Sequence, residues 1–318
     1  MKNIFSKSTY KNIWESFYTS YIPTRRDNLT QIILKSTFLL MIVLLIFVFT
    51  FVTNYFTAIN KEQAMFAENK QIFQQLSSGN QKNYVNALKY FKKQNSDLKA
   101  WISIKNTPLA SPVYQTDDNK FYLNHNQLKE KSSFGALFFD YKDSVIAETI
   151  DKNFVIYGNS PKSDDLFSCL KKYKSLYFYK QNPYITLSTM QGTEKYVIFA
   201  TFIINSKRED DNNYIFDYKK SNFEDSDAFT LWYNELRQRS LYLPTIPVTN
   251  EDSFLTLVTD SVEFKGAKLV VMARKIKDEE TIDVSNTIVN KKPRYPSIYY
   301  TLKEIKNPFD TKESDYVL

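Results

Sequence analysis

The sequence holds one cysteine, Cys169, and one histidine, His125, in 318 residues. A single cysteine closes no internal disulfide, and without a cluster of cysteines and histidines there is no structural zinc site. Glycine is scarce, at five residues, so the glycine-rich phosphate loops of nucleotide enzymes are missing. Nothing in this inventory calls for a cofactor or a metal. Positive charge exceeds negative by seven. Lys2, Lys7, Lys11, Arg25, Arg26 and Lys35, against Glu15 and Asp27, account for four of the seven before residue 36. The small remainder predicts no nucleic-acid surface on the rest of the chain.

What the chain has in quantity is apolar and aromatic side chains, 43% and 16% of its residues. That is ample for a packed core and argues against global disorder. One stretch is too apolar for an ordinary surface helix. No charge occurs between Lys35 and Lys61, and residues 38–52 read FLLMIVLLIFVFTFV. About 20 such residues match the ~30 Å hydrocarbon core of a bilayer. Thr53, Asn54, Tyr55 and Phe56 follow; the aromatic pair suits a membrane interface better than a small-residue cleavage site. The basic N-terminal flank predicts a single-pass plasma-membrane protein with residues 1–35 cytoplasmic, a helix over 36–57 and all that follows extracellular.

Past the span, residues 61–76 and 82–95 have helical spacing, separated by Ser77, Ser78, Gly79 and Asn80, a loop signal. They predict a helical stalk and an N-terminal helix within residues 58–98. Short runs rich in β-branched and aromatic residues then begin, at 101–104, 135–139, 154–157, 184–187, 196–204, 254–258 and 269–272. Helices are predicted at about 163–173 and 227–239. The mixture predicts a mainly β domain over 99–276, a small barrel or sandwich with helices on its rim. Residues 277–318, with Pro293 and Pro296, read as a charged tail.

Several stretches carry a resemblance. WISIKNTPLASPVYQTDDNKFYLNHN (101–126), FGALFFD (134–140), NFVIYGNSPKSDDLFSCLKKY (153–173), NPYITLST (182–189), RSLYLPTIPV (239–248) and FLTLVTDSVEFKGAKLVVMARKI (254–276) resemble, in order, the class B sortase domain. IPTRRDN (22–28) and KPRYPSIYY (292–300) are similar to clostridial members. The resemblance implies an eight-stranded β-barrel with peripheral helices, anchored by one transmembrane helix in a Gram-positive envelope. Family enzymes cut a sorting signal on a secreted protein and join its new carboxyl end to an amino group of peptidoglycan or a pilin.

The resemblance also locates the family's three catalytic side chains. The histidine follows Tyr-Gly, but here Tyr157 and Gly158 lead to Asn159. The cysteine ends a Thr-Leu-x-Thr strand, but Thr256, Leu257, Val258 and Thr259 lead to Asp260. The arginine follows an alanine at the next strand's start, but Ala267 leads to Lys268. No shift of alignment repairs this, because no cysteine follows Cys169 and no histidine follows His125. A carboxylate attacking an amide gives a mixed anhydride whose better leaving group is the carboxylate, so the intermediate collapses backwards. An amide is no general acid at neutral pH, which forfeits a typical 10²–10⁴-fold factor. Lysine keeps the charge but loses the planar fork. No catalytic residue is therefore expected at Asn159, Asp260 or Lys268.

Other candidates have plainer readings. Cys169 lies among Leu166, Phe167, Leu170 and Tyr173 at helical spacing, as a packing residue does, and His125 sits in a polar turn; a relocated dyad of the two has no spacing to support it. The acidic groups Glu209, Asp210, Asp211 and Glu224, Asp225, Asp227 lack EF-hand spacing and read as solvated loops. Asp260 and Lys268 flank one short turn and are expected to pair across neighbouring strands, because an unpaired charge beside a barrel core is costly. Arg274, about 20 Å further at strand rise, is too far to compete. Lysine, asparagine and an acid are also the residue types of isopeptide crosslinks, so a Lys268–Asn159 bond is an alternative.

The reading is a pseudo-sortase that binds a sorting-signal peptide, a surface or pilin protein, or an active sortase. The alternatives are a cysteine-independent transpeptidase or hydrolase with an atypical site, and a purely structural envelope protein.

Overall fold

The computed structural model describes residues 7–78, 83–143, 152–163 and 165–310. The chain divides into two compact units, residues 1–65 and 66–318. In the first, α1 (Lys7–Tyr21) turns at Pro23 into α2 (Leu29–Ser77). A reciprocal cap opens α2. The Asn28 amide donates to Gln31 Oε1 at 3.0 Å and the Gln31 amide to Asn28 Oδ1 at 2.9 Å. The helix then runs 49 residues unbroken, about 74 Å at 1.5 Å per residue. The predicted span and stalk are thus one helix, because neither proline nor glycine occurs between Pro23 and Gly79. It is long and apolar enough to cross a membrane.

In the second unit, α3 (Asn83–Gln94) leads to β1 (Leu98–Ser103), β2 (Ala110–Tyr114), β3 (Leu137–Phe139) and β4 (Asn153–Tyr157). A 3₁₀ helix over Leu166–Lys174 and α4 (Leu176–Gln181) replace the single predicted helix at 163–173. There follow β5 (Tyr184–Thr189), β6 (Thr193–Ile204), α5 (Ser226–Arg239), β7 (Tyr242–Leu243), β8 (Phe254–Asp260), β9 (Lys268–Lys275), β10 (Ile288–Val289) and α6 (Ser297–Leu302). Eight strands close a barrel in the order β1-β2-β3-β4-β8-β9-β6-β5. β2, which closes the ring beside β1, escapes the sequence reading because Pro112 interrupts its run.

Two of the apolar clusters among the described residues lie in this unit. One joins Phe202, Met272 and Phe254 to Trp232 and Leu236 of α5. The other sets Leu88 and Phe91 of α3 against Trp101 and Tyr114, with Phe73 from the end of α2 stacked on Trp101 at 4.0 Å. Residues after Lys275 do not fade into a tail. Val289 pairs with Tyr242, and the Ser297 amide and hydroxyl donate to Asp211 at 2.9 and 2.8 Å. Arg274, fully buried, pairs with Glu280.

Candidate functional site

Two strand pairings bring the site together. β4 and β8 run parallel with Tyr157 beside Val258, so the residues leaving both strands emerge side by side. The Gly158 amide donates to Val258 O at 3.2 Å, and Thr259 Oγ1 donates to Gly158 O at 2.8 Å. Asn159 and Asp260 come next. β8 and β9 run antiparallel with Asp260 directly opposite Lys268. The three positions thus sit at adjacent strand ends, lining one cleft of about 630 Å³.

Each side chain has partners. Asn159 Nδ2 donates to Leu123 O at 2.8 Å and Phe134 O at 3.1 Å, tying β4's exit to the loop before β3. Gly135 allows this approach. Its φ is +65°, and a Cβ there would lie 2.4 Å from Tyr122 O and 2.9 Å from Asn159 Nδ2. Lys268 Nζ donates to Asp260 Oδ1 at 2.5 Å. The expected cross-strand pair is formed, but the side chains are 64% (Asp260) and 36% (Lys268) exposed. The end of β8 opens to solvent rather than to the core, so the carboxylate bears little desolvation. The observed partners of Lys268 and Asn159 are not each other.

A further wall of the cleft is the segment 215–219, with Arg208 also in the lining. Asn153 Nδ2 donates to Tyr218 O at 2.9 Å and Trp232 Nε1 to Asp217 O at 2.8 Å, so a barrel strand and α5 fix this wall from two sides. Beneath it, Asp140 accepts from Tyr157 Oη at 2.9 Å and from Lys219 Nζ at 2.7 Å. Burial would raise the Asp140 pKa, but the Lys219 bond and the Lys142 amide outweigh it and hold the carboxyl below its ordinary value. Burial pushes the Tyr157 phenol far up, with Tyr218 and Asp140 adding to it, so Tyr157 stays a neutral donor. This wall was not singled out in the sequence. Its one signal is the aromatic-basic run from Tyr214 to Lys220, which resembles an ordinary loop.

Cys169 and His125 lie outside the cleft lining. Cys169 is a fully buried thiol. His125 is half-buried, its ring stacked on Phe121 at 4.2 Å. Of the acidic groups, Asp211 docks the start of α6, and Asp225 caps α5 by accepting from the Ala228 amide at 2.7 Å. Among the described residues no three His, Cys, Asp or Glu side chains are gathered to hold a metal.

The barrel has counterparts among known proteins. No family model matches the chain. Sortase B of Listeria monocytogenes is 29% identical over 191 residues, 59% of this chain and 74% of that protein. The X-ray structure of Clostridium perfringens sortase B superposes with a TM-score of 0.53 at 31% identity, over 59% of this chain and 99% of that one. A Staphylococcus aureus sortase B–substrate complex superposes with a TM-score of 0.62 over 70% of this chain and all of that one; at 24% identity this shows the shared fold. The eight-stranded closed barrel is the sortase fold, and the chain belongs to the class B sortase family.

Proposed function

We propose that this protein is a membrane-anchored pseudo-sortase. In this reading α2 crosses the plasma membrane with the N-terminus in the cytoplasm, and the barrel presents an open peptide cleft outside the cell without transpeptidation. One observation carries it. The three positions that match the family's catalytic motifs line one cleft and hold Asn159, Asp260 and Lys268, two of them ion-paired and the third bonded to backbone carbonyls. Asp260 as nucleophile would give an anhydride that collapses backwards, and the Asn159 amide offers no general acid at neutral pH. The cleft itself remains roomy, with apolar Leu123, Ile204, Ile215 and Val258 beside polar Asn119 and Asn205, as a peptide site requires. A family relative is known as a substrate complex, which supports a sorting-signal peptide, on a surface or pilin protein, as ligand; an active sortase is the other candidate partner.

Restoring Asn159→His, Asp260→Cys and Lys268→Arg together tests whether only the reacting groups are lost. Weak cleavage of sorting-signal peptides, with a thioester trapped on residue 260, is the expected result. A restored trio that binds peptide no better than an unrelated barrel would refute retention of the cleft. For orientation, protease added to wall-less cells should digest the barrel and spare an N-terminal tag; a protected barrel would reverse the topology.

A further inference from the structure

The observation left over by the cleft and the span is α1. Ile13, Trp14, Phe17, Tyr18 and Tyr21 recur at spacings of three and four, which places them on one stripe of the helix. All five are exposed, Trp14 at 64%. Asn12, Glu15, Ser16 and Thr19 occupy the other side. The stripe leads somewhere. Trp14 stacks towards Phe17 at 5.9 Å, Phe17 meets Tyr21 at 5.1 Å, and Tyr21 meets Phe38 of α2 at 5.1 Å. Phe38 is the first residue of the uninterrupted apolar run. The aromatic stripe of α1 is therefore continuous with the start of the candidate membrane helix.

The turn between the helices is built for such a boundary. Lys35, the last charge before the uncharged span, is bent back. Its Nζ donates to Thr19 O at 2.6 Å and to Asp27 Oδ1 at 2.8 Å. Asp27 also accepts from the Thr24 amide at 2.6 Å and the Thr24 hydroxyl at 3.0 Å. The pair is only 13% (Lys35) and 11% (Asp27) exposed, so its two charges cancel where the chain meets the apolar run. The lysine bond, then the Thr24 amide, hold the Asp27 carboxyl below its usual range. Of the described side chains outside this knot, Lys11, Arg25 and Arg26 outnumber the one other acid, Glu15, and suit an anionic leaflet.

We propose that α1 is an interfacial helix lying in the headgroup layer at the N-terminal end of α2, with its aromatic stripe facing the acyl chains of an anionic bilayer. Burial of about 5–10 Å is typical of such helices. This rests on the reading that α2 crosses the membrane, and the experiment separates the two. The full chain is reconstituted in phosphatidylglycerol-containing nanodiscs. Nitroxides are placed at Phe17→Cys and Tyr18→Cys on the stripe, Asn12→Cys on the polar side and Leu45→Cys in mid-span. The buried Cys169 makes the native chain the labelling blank. Relaxation by oxygen and by a water-soluble nickel chelate is then compared. The oxygen-to-nickel ratio should be severalfold higher at 17 and 18 than at 12, and should approach that at 45. Equal nickel access at 12, 17 and 18, with a lipid-like value at 45, would overturn the interfacial placement and leave the span intact. Shielding of 17 and 18 from both reagents would mean that protein covers the stripe, and would also overturn it. Nickel access at 45 would remove the membrane reading and the proposal with it.

Discussion

Asp260 and Lys268 meet across the antiparallel β8–β9 pair with both side chains well exposed to water. An ion pair in that setting contributes about 0–1 kcal/mol, because solvent screens the attraction and two side chains lose freedom. A double-mutant cycle by denaturant unfolding, with Asp260→Ala and Lys268→Ala, should return a coupling in that range; several kcal/mol would require a buried pair. Asn159 is the stronger structural residue. Removing its amide in Asn159→Ala leaves two backbone carbonyls without their donor and should cost about 1–2 kcal/mol. An unchanged melting temperature would contradict this. Strand motifs and single-residue offsets in the sequence singled out Asn159, Asp260 and Lys268, and all three line one cleft. The sequence also anticipated the Asp260–Lys268 pairing, since eight residues around a short turn place the two opposite each other. It did not reveal their exposure, which depends on how far β8 runs beyond the core.

At the scale of elements, the parallel β4–β8 and antiparallel β8–β9 pairings do most to shape the site. The seven β-rich runs all became barrel strands, because their side chains alternate or bury on a pleated surface whatever the partner. What escaped was long-range. β2 carries a proline, and the segment after Lys275 binds through single polar side chains that leave no periodic signal. Arg274 is the clearest case, an apparently remote strand residue that is wholly buried. Its Nε donates to Pro247 O at 2.8 Å, and its guanidinium grips Glu280. Glu280→Gln leaves a buried cation short of its counter-charge and should destabilise the barrel unit by about 3 kcal/mol, the low end for a broken buried pair because Glu280 is partly exposed. A loss below about 1 kcal/mol would show that the clasp is dispensable. The Arg274 bond holds the Glu280 pKa below its usual value. The Lys174 bond does the same for Glu263, and the Lys219 bond for Asp140, in both cases against burial. Carboxyls whose folded pKa is depressed stabilise the fold above their unfolded pKa, about 4. Stability should therefore stay level from neutral pH down to about 5 and fall as pH drops through 4 and below. A loss that begins near pH 6 would point to other groups.

For the whole molecule, the chain carries a long apolar helix, α2, and a closed barrel of the sortase fold. A helix long and apolar enough to cross a membrane was plain in the sequence, because length and absence of charge suffice to mark it. Its continuity with the stalk was less plain, since the change from apolar to polar composition at Lys61 looks like a boundary although no residue there breaks a helix. The central claim is that the cleft binds without turning over. The most direct measurement is to incubate the full chain in detergent with a panel of fluorescent sorting-signal peptides and a glycine-based acceptor. Bound peptide is followed by anisotropy and covalent products by intact mass. The account predicts saturable binding of at least one peptide, competed by unlabelled peptide, with no cleaved peptide, no ligated product and no acylated protein. Cleavage or ligation by the native chain that disappears in Asp260→Ala would contradict it.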